Sequence, residues 1–125
     1  MTKNIKVHEI ECGCGCGFNK MSRGTLNIVQ MVRDVFGKPV RINDGGHCGC
    51  RCEEHNAKVG GSKNSQHKPQ DDGMAHAIDF HVEGVEPKVV YEFLNKLFPN
   101  SLGLGLYNTF VHIDDRCDKA YRWNG

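Results

Sequence analysis

Two imidazoles and a carboxylate, His67, Asp79 and His112, are the side chains of this 125-residue sequence whose chemistry suits a single divalent ion. Imidazole nitrogen and carboxylate oxygen match the borderline character of zinc, and three protein ligands leave the fourth tetrahedral position to water. Zinc lowers the pKa of such a water to about 7, which makes it a nucleophile at neutral pH. Attack on a carbonyl also needs a group to take the proton. Asp114, two residues beyond His112, is the nearest candidate in sequence, and its position equally suits a carboxylate that orients a ligand histidine. Spacing alone does not single out this set in a chain with seven histidines.

The elements that must position these residues follow from periodicity. Ser22 can cap a helix whose apolar residues Leu26, Val29, Val32, Val35 and Phe36 recur at helical spacing, with Gly37 as its stop. KPVRIND alternates as a short strand, CEEHNAKVGG reads as a short helix closed by Gly60 and Gly61, and SKNSQHKPQDDG as a polar loop. In MAHAIDFHV the period is two, so Ile78, Phe80 and Val82 share one face with His76, while Asp79 and His81 share the other. His76 is thereby separated from the ion that Asp79 would hold, and is expected to be packed or partly buried. His81 keeps a supporting or rim role open, and Asp71 and Asp72 read as solvated loop charges.

Pro87 opens a second amphipathic helix with Val89, Val90, Phe93, Leu94, Leu97 and Phe98 as its stripe. A hairpin follows, LGLGLY to FVHIDD, in which Phe110, His112 and Asp114 share a face. Trp123 and Tyr121 could wall a peptide cleft or cover the edge of the core. This order of elements gives an α+β class, a mainly antiparallel sheet with flanking helices, in one domain over residues 1–125.

Lys and Arg total 16 against 15 Asp and Glu, and the basic residues form no stripe, which argues against nucleic acid as a partner. No apolar run approaches the roughly 20 residues of a membrane span. MTKNIKVHEIEC has no signal-peptide stretch, so cytoplasmic accumulation of a monomer is expected. Six of the seven cysteines form two triplets, Cys12, Cys14, Cys16 and Cys48, Cys50, Cys52, with Cys117 left over. In an oxidising compartment the triplets could be bridged by disulfides; in a reducing one they could share a structural zinc through four thiolates, the second metal of the chain.

RCEEHNAKVGGSKNSQH, followed by AIDF and then GLGLYNTFVHIDDR, resembles the zinc D-alanyl-D-alanine carboxypeptidase family, which shares its fold with the hedgehog signalling domain and many phage endolysins. The resemblance runs from the first cysteine triplet to about Arg116. It implies a hedgehog/D-Ala-D-Ala peptidase-like fold with His67, Asp79 and His112 as zinc ligands. Arg51 falls on the family's arginine that contacts the substrate carboxylate or the developing oxyanion, and Ser65 on the serine of its Ser-x-His element. Two departures are visible. KPQDDGM lengthens the gap from His67 to Asp79, and Thr109 stands where several relatives place their catalytic carboxylate, which leaves Asp114 as the expected base.

The resemblance implies a zinc metallopeptidase that hydrolyses peptidoglycan stem peptides. It would act as a D-Ala-D-Ala carboxypeptidase or as an L-Ala-D-amino acid endopeptidase of the phage endolysin type, released from the cytoplasm to the cell wall. Two other classes stay open. One is a non-catalytic, zinc-holding binding module of the hedgehog type; the other is a cysteine-metal structural protein that binds a macromolecule.

Overall fold

A computed structural model describes residues 2–42, 49–116 and 119–125. Cys48 and Cys117 lie outside the described residues. The elements run α1 (Val7–Ile10), α2 (Arg23–Phe36), β1 (Val40–Ile42), α3 (Glu53–Lys58), β2 (Ala77–Val82), α4 (Pro87–Leu97), β3 (Gly103–Leu106), β4 (Val111–Asp114) and β5 (Tyr121–Asn124). The fold is α+β, with a five-stranded sheet in the order β1-β2-β4-β3-β5. Its pairs are antiparallel except β3 with β5, which are parallel.

Local chemistry sets the ends of the two long helices. The Ser22 hydroxyl accepts from the Thr25 N–H at the start of α2, and Gly37 closes it in the left-handed region at φ 64°. Pro87 begins α4, where its missing N–H is no loss. At the other end the Arg122 guanidinium donates to the carbonyl of Phe98, the C-cap, and to those of Ser101 and Leu102 in the loop that follows.

Strand alternation divides the sheet chemically. On one face Ile78 pairs with Ile113 and Phe80 with Val111, while Leu104 and Leu106 lie opposite the same two β4 residues. Leu26, Val29 and Val32 of α2 and Val90 and Leu94 of α4 are buried in one core with them. Val35, Val89 and Leu97, expected in the core stripes, are instead exposed at 56, 47 and 48%. Each helix meets the sheet along a narrower strip than its apolar arc.

The opposite face carries polar residues. Asp79 pairs with His112 across β2 and β4, and Ala77 with Asp114. Gly103 and Gly105 of β3 lie opposite Asp114 and His112, and Tyr121 and Trp123 of β5 lie beside those two glycines. A methyl group on Gly105 would come within 2.5 Å of the Trp123 ring, so the missing side chain is what lets the indole lie over the strand.

The loop before α3 and the loop after it close over this polar face. The Cys50 N–H donates to the Ile10 carbonyl, Arg51 N–H to the His67 carbonyl and His76 N–H to the Gln66 carbonyl. Among the described residues no helix is long and apolar enough to cross a membrane.

Candidate metal centre

His67, Asp79 and His112 converge although 45 residues of sequence separate the first from the last: one ligand-capable atom of each lies within 4.8 Å of the others, and all three residues are buried. Asp79 Oδ1 is 2.9 Å from His112 Nδ1 and 3.4 Å from His67 Nε2. The two imidazoles stand edge to face at 5.1 Å.

Each histidine has its other nitrogen anchored. His67 Nδ1–H donates to the Gly49 carbonyl at 2.7 Å, which leaves Nε2 facing Asp79. His112 Nε2–H donates to Asp114 Oδ2 at 2.9 Å, which leaves Nδ1 facing Asp79. Fixing the far nitrogen in this way selects the tautomer and holds the ring for metal ligation. The donor set, two neutral-capable imidazoles and one carboxylate, fits a zinc ion.

The electrostatics of Asp79 and His67 agree with that use, whereas His112 must give up a proton to an incoming ion. Burial pushes the Asp79 carboxyl up, but hydrogen bonds from His112 and His67 more than offset it and leave its pKa lowered to about 2. Burial is the main cause that lowers His67, favouring the neutral imidazole that a metal requires. Burial would lower His112 as well, but its bonds to Asp114 and Asp79 prevail and raise it.

A cleft of about 560 Å³ opens over these three residues, lined also by Arg51, Ser65, Tyr107, Phe110, Arg116 and Trp123. Arg51 is 7% exposed, and its Nη2–H donates to Ser65 Oγ at 3.4 Å. Ser65 Oγ also accepts from the His67 N–H at 3.2 Å, so one hydroxyl links the cleft arginine to a histidine of the centre. Phe110 stacks on Tyr107 at 4.4 Å, and the Trp123 indole N–H donates to the Tyr107 hydroxyl at 3.0 Å. Of the two readings open for Trp123, the structure places it on the cleft wall.

Asp114 is not a cleft-lining residue, contrary to what a proton-shuttling base requires. Its side chain is fully buried, with Oδ2 on His112 Nε2 and both oxygens on the Arg116 guanidinium, and Oδ1 also accepts from the Gly103 N–H. Burial would raise its pKa, but these bonds hold it far below the usual carboxylate range. Of the two roles that its spacing allows, the geometry is that of the carboxylate orienting His112.

The histidines of MAHAIDFHV, His76 and His81, are separate from the centre. His76 lies between Asp115, 2.6 Å from Nδ1, and Asp72, 2.7 Å from Nε2. Asp72 is therefore not simply solvated, since it also accepts from the Met74 N–H. His81 pairs with Arg41 on β1 and does not line the cleft.

Arg116 is, with Tyr107 and Phe110, a cleft residue to which the sequence assigned no part in the site. Its guanidinium lies 4.2 Å from the centre of the Tyr121 ring while it holds Asp114. The available signal was the run HIDDR, which sets an arginine two residues past a buried aspartate. No curated protein and no solved structure matches the chain. A family model described as peptidase M15 matches residues 3–114. With its His-Asp-His centre in place at the floor of the cleft, the chain belongs to the peptidase M15 family of zinc peptidases.

Proposed function

We propose that this chain is a zinc-dependent metallopeptidase that hydrolyses an amide bond in bacterial peptidoglycan stem peptides, on a hedgehog/D-Ala-D-Ala peptidase-like fold. The observation that carries the reading is the convergence of His67 Nε2, Asp79 Oδ1 and His112 Nδ1 under a cleft walled by Arg51. A zinc ion held by these three side chains supplies Lewis-acid activation of water and of the scissile carbonyl.

The chain's own residues supply the rest. Arg51 offers a planar fork suited to a carboxylate or a developing oxyanion, and Ser65 fixes its direction. Arg116 also lines the cleft, but its guanidinium is bound to the buried Asp114 carboxylate, so recognition of a substrate carboxylate, which stem peptides carry, falls to Arg51. Tyr107, Phe110 and Trp123 form an apolar wall against which a peptide backbone can lie. Asp114 keeps a proton on His112 Nε2 and so holds the lone pair of Nδ1 toward the centre.

One observation favours a second reading, a zinc-holding module without hydrolysis. Among the described residues that line the cleft, Asp79 is the sole carboxylate, and it belongs to the metal set. Digestion of purified peptidoglycan by the zinc-loaded protein, followed by mass spectrometry of the fragments, separates the readings. Loss of a terminal alanine identifies a D-Ala-D-Ala carboxypeptidase, and a severed stem identifies an endopeptidase of the endolysin type. Intact peptidoglycan overturns the enzyme reading in favour of the module.

A further inference from the structure

A second cluster of metal-binding side chains lies apart from the His-Asp-His centre and shares no residue with it. Cys12, Cys14, Cys16 and Cys52 bring their sulfurs within 4.8 Å of one another. The sulfurs of Cys12 and Cys14 are 3.4 Å apart, those of Cys14 and Cys52 3.6 Å, and those of Cys12 and Cys52 3.8 Å. A tetrahedral zinc site with Zn–S bonds of about 2.3 Å sets its sulfurs about 3.8 Å apart. Three edges of this cluster already approach that length, and all four cysteines are free thiols.

The loop is shaped for it. Cys12, Cys14 and Cys16 come from five consecutive residues, and Gly15 and Gly17, at φ 82° and 89°, let that short segment turn back on itself. Donors are also in place for thiolates. The Cys12 sulfur accepts from the Cys52 backbone N–H at 3.5 Å and lies 3.1 Å from His55 Nδ1, and the Cys52 sulfur accepts from the His55 backbone N–H at 3.4 Å. Such contacts orient metal-bound sulfur and offset its charge.

Cys50 does not join the cluster, although it belongs to the same sequence triplet as Cys52. It is fully buried in the hydrophobic core, and its S–H donates to the Lys20 carbonyl. Among the described residues the set is therefore one triplet plus Cys52, a partition that the symmetric spacing of the triplets does not show.

We propose that Cys12, Cys14, Cys16 and Cys52 bind a second, structural zinc ion as four thiolates. It ties the N-terminal loop to Cys52, the residue between cleft-lining Arg51 and the first turn of α3. The ion thus acts as a clamp on the wall of the cleft, with no open ligand position for chemistry.

The test is the metal content of the full chain, purified under reducing conditions and loaded with zinc alone. Wild type is expected to hold two zinc ions per chain. Cys14→Ser/Cys16→Ser, a change at two exposed positions, is expected to hold one, as is His67→Ala/His112→Ala. Cobalt substituted into wild type and into the His67/His112 variant should show thiolate-to-cobalt charge-transfer absorption, which needs no cysteine variant to fold. A zinc content unchanged in the cysteine variant, or cobalt spectra without thiolate absorption, would each overturn the proposal; one zinc per wild-type chain that the cysteine variant loses would instead count against the His-Asp-His centre. Iron in place of zinc after expression in zinc-replete medium would overturn the zinc assignment.

Discussion

The imidazole of His112 is held between two carboxylates, with Nδ1 2.9 Å from Asp79 Oδ1 and Nε2 2.9 Å from Asp114 Oδ2. Asp79 sits at the cleft and Asp114 is buried behind the ring, so the two acids have different tasks. If Asp114 orients His112, Asp114→Asn weakens zinc affinity about 10- to 100-fold, the usual effect of losing such a partner. Competition with a chromophoric chelator measures it. An Asp114→Asn protein that loses all hydrolysis with unchanged zinc affinity would restore Asp114 as the base.

Arg51 is proposed to hold a substrate carboxylate through its fork. Arg51→Lys keeps the charge and loses the bidentate geometry. KM for a stem peptide should then rise about tenfold, equivalent to about 1.4 kcal/mol of binding, with zinc content unchanged. If the arginine instead stabilises the oxyanion, kcat falls and KM stays put. Steady-state kinetics on a synthetic peptide distinguish the two.

Gly103 faces Asp114 across β3 and β4, and a methyl group there would come within 2.5 Å of Asp114 Oδ1. Because Asp114 is clamped by Arg116 and His112, it has little freedom to retreat. Gly103→Ala should cost about 1–3 kcal/mol of stability by overpacking and weaken zinc binding together. Urea denaturation and the chelator titration check both; a loss of neither would show that the carboxylate can move.

His76 gives a pH signature remote from the centre. Burial would lower its pKa, but the hydrogen bonds to Asp115 and Asp72 prevail and raise it above the ordinary 6.5. A raised folded value means that the charged pair stabilises the fold fully below the unfolded pKa and that this is lost as pH rises through the folded one. Charge-assisted bonds of this kind contribute about 1.5–3 kcal/mol. His76→Gln should therefore destabilise more at about pH 5.5 than at about pH 9, given the ordinary histidine value. Equal destabilisation at both would show that packing, not charge, is what His76 provides.

Much of the centre is legible in the sequence because a strand's period of two is unforgiving. Once AIDF and FVHID are strands, Asp79 falls opposite Ile78 and Phe80, and His112 opposite Val111 and Ile113. That separation also removes His76, as the structure bears out. The loop residue His67 carries no such constraint, and motif resemblance was what joined it to the other two.

The parts that were not legible depend on distant partners. β5 is four residues long and pairs in parallel with β3, so neither a turn nor an alternating run announces it. α1, also four residues, is too short for a periodic signal. Arg116 enters the cleft only because Asp114 is buried behind His112, and Asp72 gains a partner only where the fold returns His76 to it. The exposure of Val35, Val89 and Leu97 shows that apolar spacing marks a helix's inward arc without fixing its width.

Whether His67, Asp79 and His112 hold the ion is decided by anomalous diffraction at the zinc edge from zinc-loaded crystals. A peak is expected between His67 Nε2, Asp79 and His112 Nδ1, with Asp114 on the far side of the His112 ring. Zinc-loaded crystals with no peak among these three residues, or with zinc at the cysteines alone, would contradict it.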